Sequence, residues 1–316
     1  MKRILLASVA VLFLARAAGE PAPVTDWAPN ETVVVSVKAE GPAYWHLKKG
    51  EAEVFILGTV GAMPKGQAWN SAHTAEIIKG ARVVLTAPQA TSGFFETRWF
   101  LLWHRDLLSM PDGKKLQDTM PPELKARFEA VVAALHGPKP EKFSDDPPLI
   151  AAVKLENGFQ EKANLSVDEP LATVNKIARA NHVKVEQIAE YEALGLIKEL
   201  LRLPLETQRV CLAAAVSDVE QRMVHATPAA EAWAAGDVKA IKAHYTASFF
   251  NACGKLTVGY AKMYDRAVAD YLKAIEQALA QPGKTVLITD VGSLLRNTGV
   301  VEKLHAEGIT IEGPAE

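Results

Sequence analysis

The sequence predicts an α/β fold in which the N- and C-terminal segments form a central mixed β-sheet, with a large helical insertion between them. Two strand-like apolar runs, Val54–Leu57 and Thr285–Thr289, lie near opposite ends of the chain, and each leads into a glycine-containing turn. A run that is apolar throughout suits a central strand covered on both faces. Between them, from about residue 95 to 280, apolar residues recur mostly at helical spacing.

The first 19 residues are typical of a cleaved export signal. Lys2 and Arg3 precede the apolar run Ile4–Ala15, and small residues follow as a cleavage site. A membrane-spanning helix needs roughly 20 apolar residues, and Arg16 ends this run earlier. No later segment is long and apolar enough to span a bilayer. We therefore expect signal cleavage and a protein that is periplasmic or secreted.

Residues 20–43 are expected to form an N-terminal arm with a first strand at Val33–Val37, and residues 44–316 the α/β domain. The first part of this domain mixes strand and helix patterns. The elements predicted there are a hairpin of Tyr44–Leu47 and Ala52–Leu57, a helix around Ser71–Lys79, and a strand at Arg82–Leu85.

The insertion is predicted to be mainly helical, with a short strand at Val183–Ile188. Its predicted helices are Trp99–Leu108, Pro122–Leu135, Leu149–Lys162, Glu169–Ala180, Tyr191–Leu203, Glu206–Val224, Val238–Phe250 and Leu256–Leu279. After the strand Thr285–Thr289, a helix at Gly299–Ala306 and a strand at Ile309–Glu312 complete the predicted domain.

The turns after the two apolar strands are the predicted place for a pocket. In open α/β sheets, ligands bind beyond the carboxyl ends of the strands. We therefore expect residues Gly58–Pro64 and Asp290–Arg296 to be adjacent if their strands are neighbours.

The net charge limits the classes of partner that the sequence favours, and the cysteine content bears on the cellular compartment. Removing the signal leaves 32 basic and 37 acidic residues, a net charge of about −5. This argues against nucleic acid or an anionic membrane as the partner, because such surfaces call for a basic face. Cys211 and Cys253 form a disulfide in one interpretation, which an oxidising compartment permits, and are two separate buried thiols in the other.

The sequence contains none of the common phosphate-binding, nucleophile-elbow, zinc-protease or paired-cysteine motifs. No two of its eight histidines are spaced three or four residues apart, so each is interpreted as a surface or core residue. Most of the acidic residues are interpreted as lying on solvated helix faces, and the densest local set is Glu186, Glu190 and Glu192. Ser293 could act as a nucleophile only with a nearby base; otherwise it is a turn serine.

The order of several segments resembles the TraB/GumN family, which includes the Tiki metalloproteases. The resemblance covers roughly residues 44–312, and no single motif carries it. The segments that resemble the family are residues 44–47, 54–60 and 81–85, Val167-Asp168, Glu190, residues 203–208 and 232–237, Asp265-Arg266, and residues 286–294.

The departures from the family pattern fall on its proposed chemistry. The family's first motif histidine is replaced by Gly61, its strand-end glutamate by Thr86 and its C-terminal histidine by Ser293, while the asparagine after Arg266 is Ala267. In the family, the two histidines and the glutamate are proposed to hold a divalent metal or to act in hydrolysis. Glycine has no side-chain ligand, and neutral hydroxyls are poor replacements for imidazole or carboxylate.

Other family positions are retained, namely Asp168, Glu190 and Arg266, together with the expected cleft backbone of Gly58, Thr59 and Gly292. The resemblance, with these losses, implies an exported pseudoenzyme without a metal cofactor, which acts by binding an envelope protein or polymer. The alternative is a metal-dependent hydrolase acting on peptides or envelope polymers, with a divalent metal held by at least three residues, for instance around Asp290, Asp168 and Glu190.

Overall fold

A computed structural model describes residues 26–28, 41–137 and 140–314. The export signal and the strand expected at Val33–Val37 lie outside the described residues. Among the residues described, no helix is both long and apolar enough to cross a membrane.

The sheet elements alternate with helices at both ends of the chain. The strands are β1 (Tyr44–Lys49), β2 (Ala52–Thr59), β3 (Met63–Pro64), β4 (Ala81–Thr86), β5 (Gln89–Thr91), β6 (Leu165–Ser166), β7 (Lys184–Gln187), β8 (Glu190–Glu192) and β9 (Gly283–Asp290). The helices are α1 (Ala72–Ile78), α2 (Phe94–Trp103), α3 (Leu116–Thr119), α4 (Pro122–His136), α5 (Pro148–Lys162), α6 (Leu171–Ala180), α7 (Leu194–Leu201), α8 (Leu205–Ala234), α9 (Val238–His244), α10 (Phe249–Gly254), α11 (Val258–Leu279), α12 (Val291–Leu295) and α13 (Val300–Ala306).

The central sheet has five strands in the order β1-β2-β9-β4-β7, and it confirms the predicted mixed α/β fold. β1 and β2 form the predicted antiparallel hairpin, whereas β2, β9, β4 and β7 run parallel. The buried side chains of β2 and β9, such as Val54, Ile56 and Leu287, explain why both runs are apolar. The edge strand β7 lies within the insertion, so the N-terminal segment, the insertion and the C-terminal segment all contribute strands to the sheet.

The structure corrects several predicted elements of the insertion. Tyr191 lies in β8, which pairs with β5, and not at the start of a helix. α8 continues through Pro228, because Ala230 and Trp233 beyond it are fully buried in the core of the sheet. The predicted strand Ile309–Glu312 is reduced to one antiparallel bridge between Glu312 and His46.

Two apolar cores divide the domain. One surrounds the sheet and includes Trp233 and Ile241 from the insertion. The other lies among α4, α5, α7, α8 and α10, around Phe128 and Leu212. Because α8 contributes to both cores, it fixes the helical insertion against the sheet.

Candidate functional site

The carboxyl ends of β2 and β9 meet at one edge of the sheet. Thr59, the last residue of β2, pairs with Asp290, the last residue of β9. This pairing confirms that Gly58–Pro64 and Asp290–Arg296 are neighbours. The insertion supplies the opposite wall through α8, α9, α10 and α11.

Two cavities lie between these walls, and together we call them the strand-end cleft. The tyrosine cavity, of about 280 Å³, is lined by four of the chain's six tyrosines, at positions 191, 245, 260 and 264. The Gly61 cavity, of about 380 Å³, is lined by Gly61 and His244 among others. Tyr245, Asn251, Asp290 and Ser293 line both cavities, so the two cavities adjoin.

Asp290 holds the turn at the centre of the cleft. Its Oδ1 accepts hydrogen bonds from the Tyr245 hydroxyl at 2.8 Å and from the backbone N–H groups of Gly292 at 2.8 Å and Ser293 at 3.3 Å. Burial raises the pKa of the Asp290 carboxyl, and these donors and the charge of Arg296 oppose that rise. Asp290 therefore caps α12 and fixes the Tyr245 ring.

The cleft backbone depends on two glycines. A Cβ on Gly292 would overlap the Tyr245 hydroxyl and lie 2.8 Å from Asp290 Oδ1. A Cβ on Gly58 would lie 2.9 Å from a Trp45 ring carbon and 3.0 Å from Val291 Cγ2. Thr59, next in the strand, donates from Oγ1 to a backbone carbonyl of β9 at 3.2 Å. Both glycines thus allow close contacts at the carboxyl ends of the strands.

Three of the four tyrosine hydroxyls form hydrogen bonds within the protein. The Tyr245 hydroxyl bonds Asp290, that of Tyr260 bonds Asn251 Oδ1, and that of Tyr191 bonds Asp270 Oδ2. Burial raises the pKa of the Tyr245 hydroxyl well above its ordinary value, so it remains a neutral donor. A ligand in the tyrosine cavity would therefore meet aromatic ring surface with a few fixed polar groups.

The four positions that depart from the family pattern differ in whether they line the cleft. Gly61 has no atom within 4 Å of where its Cβ would lie. Gly61 and Ser293 both line the Gly61 cavity, and Ala267 lines the tyrosine cavity. Thr86 is buried, lines neither cavity, and donates weakly to the Glu186 carbonyl at 3.4 Å. Of the four positions, three face the cleft with small side chains or none.

The retained charged residues of the family pattern lie outside both cavities. Asp168 and Glu190 are exposed, and Glu190 Oε1 accepts a 2.5 Å hydrogen bond from Thr91. Arg266 is also exposed, with its guanidinium 4.9 Å from the centre of the Tyr191 ring, which lines the tyrosine cavity. The structure thus does not bring Asp168 and Glu190 together with Asp290.

The residues present do not fit the divalent metal that the family resemblance implies. Within the described ranges, no three side chains of His, Cys, Asp or Glu are grouped so that they could hold a metal ion. Gly61 offers no donor, and the hydroxyls of Thr86 and Ser293 are poor replacements for imidazole or carboxylate.

Sequence reasoning missed the wall that the insertion contributes. The predicted helix Val238–Phe250 is two helices, α9 and α10, with Tyr245 in the break between them. His225 and His244, nineteen residues apart, approach with their Nδ1 atoms 3.0 Å apart beside the Gly61 cavity. The sequence feature that could have indicated this wall is the cluster of tyrosines within residues 245–264. It was not used because the same residues fit a helical pattern.

A buried charged cluster in the insertion was also misread as solvated helix faces. Glu156 and Asp218 are each 3% exposed, on α5 and α8, and Arg222 Nη1 donates to Glu156 Oε2 at 2.6 Å. Asp218 Oδ2 accepts from the Phe249 N–H at the start of α10 at 2.9 Å. Burial, then the charge of Asp218, raises the pKa of Glu156 to about 8. Arg222 extends from this cluster to the Gly61 cavity.

Cys211 and Cys253 lie at disulfide distance, with their sulfur atoms 2.04 Å and their Cα atoms 4.8 Å apart. The pair joins α8 to α10, which carries the cleft residue Asn251. The interpretation of two separate thiols is therefore wrong, and the cross-link supports one wall of the cleft.

Fold and site define an α/β protein with a ligand-sized cleft at the strand ends and a helical insertion that closes it. The sequence profile of the TraB/PrgY/gumN family matches residues 43–313, and the chain belongs to that family. No curated protein and no solved structure matches the chain significantly.

Proposed function

We propose that this chain is an exported, non-catalytic member of its family that binds an envelope protein or polymer in the strand-end cleft. The observation that carries the proposal is a family framework whose cleft-facing motif positions, Gly61 and Ser293, offer neither imidazole nor carboxylate. Export is proposed from the N-terminal signal pattern. The cysteine pair at disulfide distance supports an oxidising compartment.

The geometry of the cleft supports binding over hydrolysis. Asp290 lines both cavities, and its Oδ1 already accepts three hydrogen bonds. His244 lines the Gly61 cavity but has its Nδ1 paired with that of His225. A metal-dependent hydrolase, the alternative that the sequence left open, would need three ligands that these groups do not supply.

A photo-crosslinking amino acid at position 61 tests the proposal in intact cells. The position borders the Gly61 cavity, and a Cβ there would meet no neighbouring side chain within 4 Å. We expect a specific envelope adduct from position 61. The matched control is the same probe at Ala133, an exposed residue of α4. The same adducts from both positions, or none from position 61, would contradict binding in the cleft.

A further inference from the structure

Helix α2 carries a concentration of exposed apolar side chains. Five of the twelve large hydrophobic residues that are exposed among those described fall within its ten residues: Phe94 (69% exposed), Phe95 (83%), Trp99 (64%), Leu102 (43%) and Trp103 (70%). Scattered exposed hydrophobic residues need no explanation, but a contiguous patch marks an interaction surface.

The spacing of these residues makes a continuous ridge on one side of the helix. Phe95, Trp99, Leu102 and Trp103 follow an i, i+4, i+7, i+8 pattern, which places them along a single face. Trp99 and Trp103 contact each other edge to face, with ring centroids 5.7 Å apart. Phe100, on the other side of α2, is the one buried residue of the helix and belongs to the insertion core. The helix therefore anchors itself through Phe100 and presents its aromatic face outward.

A groove beside this ridge adds basic groups to the apolar surface. It is lined by apolar residues of α2 and of the turn after it, including Leu101 and Leu108, and both charged residues in its lining are arginines, Arg98 and Arg105. Apolar surface flanked by guanidinium groups complements acyl chains that end in phosphate headgroups. Tryptophan favours the headgroup level of a bilayer, and the guanidinium group of arginine binds phosphate.

We propose that α2 is a membrane-docking helix that lies in the interface of a phospholipid bilayer. Phe95, Trp99 and Trp103 would enter the boundary between headgroups and acyl chains, while Arg98 and Arg105 bind lipid phosphates. Every phospholipid carries a phosphate, so docking does not require an anionic bilayer. The negative charge of the whole chain, which argued against an anionic membrane, is then compatible with docking, because insertion of the aromatic residues drives it.

Vesicle flotation with the purified mature protein, free of the signal, tests this. We expect co-flotation with phosphatidylcholine vesicles, a blue shift of tryptophan emission, and quenching by brominated lipid. Two of the six tryptophans lie on α2. The variant Trp99→Ala/Trp103→Ala should lower the partition coefficient about tenfold or more, since it removes two of the largest apolar side chains from the ridge. The matched control, Val167→Ala/Val258→Ala, alters two comparably exposed residues elsewhere and should leave partitioning unchanged.

The arginines have a separate readout. With vesicles that contain phosphatidylglycerol, Arg98→Gln/Arg105→Gln should weaken binding about fivefold per arginine. Equal flotation of the wild type and the tryptophan variant, or no flotation of the wild type, would overturn the proposal. So would concentration-dependent dimerisation that is lost in the tryptophan variant without any vesicle binding, because the face would then serve a second copy of the chain.

Discussion

The Glu156–Asp218 pair predicts an unusual dependence of stability on pH. Glu156 Oε1 and Asp218 Oδ1 are buried without a hydrogen-bond partner, and the two carboxyl groups lie close enough to shift each other's pKa. If both groups ionise, two acceptors face each other; a proton on Glu156 converts the pair into a donor and an acceptor. The folded protein should therefore retain this proton at a pH where the unfolded chain has lost it.

The sign and size of the effect follow from the two pKa values. In the folded state the pKa of Glu156 is about 8, against an ordinary value of 4.5. Between these values the folded state binds more protons than the unfolded state, so the free energy of unfolding falls as pH rises. The loss is at most about 1.4 kcal/mol per pH unit, and it sums to roughly 3 kcal/mol between pH 5 and pH 8 for this group.

The substitution Glu156→Gln isolates this contribution. Glutamine is neutral at every pH, and its amide can donate to Asp218 while its carbonyl accepts from Arg222, as the protonated glutamate does. We expect the variant to match the wild type within about 1 kcal/mol at pH 5 and to be more stable by about 3 kcal/mol at pH 8.

Urea unfolding at pH 5, 6.5 and 8 measures both free energies. Glu231→Gln is the matched control, because this residue is exposed on α8. The control should follow the wild-type pH dependence. If the Glu156→Gln variant and the wild type lose stability equally between pH 5 and pH 8, the buried shared proton does not exist.

Two further predictions concern the walls of the cleft. Gly292→Ala should lower the free energy of unfolding by about 1 to 3 kcal/mol, because the added Cβ breaks the buried hydrogen bond of the Tyr245 hydroxyl. The control Gly61→Ala places its Cβ in open space and should change the free energy of unfolding by no more than about 0.5 kcal/mol. Equal effects of the two substitutions in urea unfolding would contradict this geometry. Replacing Cys211 and Cys253 together by alanine should lower the free energy of unfolding by roughly 4 kcal/mol, since the disulfide closes a loop of 42 residues. Thiol alkylation followed by mass measurement should find no free thiol in the unreduced wild type, and two alkylated thiols would refute the disulfide.

The sheet and its edge were predictable from the sequence because local patterns report on them. The apolar runs of β2 and β9 indicate burial on both faces, and the turns that follow them meet at one edge because the two strands pair in parallel. Residues 58 and 292 could be placed at this edge from the sequence only on the condition that the two strands were neighbours.

The opposite wall was beyond local patterns. Tyr245 lies in a break that a helical pattern spans without interruption, and the break is set by Ser248, whose side chain caps α10. Glu156 and Asp218 occupy helices at positions that suit exposed residues equally well, and only the packing of α5 on α8 buries them. Tertiary packing decides which helix faces meet, and local sequence patterns do not report it. Neither the proton of the Glu156–Asp218 pair nor the aromatic lining of the tyrosine cavity could therefore be predicted.

Metal binding tests the central claim, that the cleft has lost its catalytic ligands, most directly. Purified mature protein should contain less than one equivalent of bound zinc or manganese, and its melting temperature should not change with a chelator. Because positions 61 and 293 line the same cavity, Gly61→His/Ser293→His should gain cobalt binding that neither single variant shows. A wild-type protein that holds one equivalent of metal and melts at a lower temperature after chelation would contradict the account.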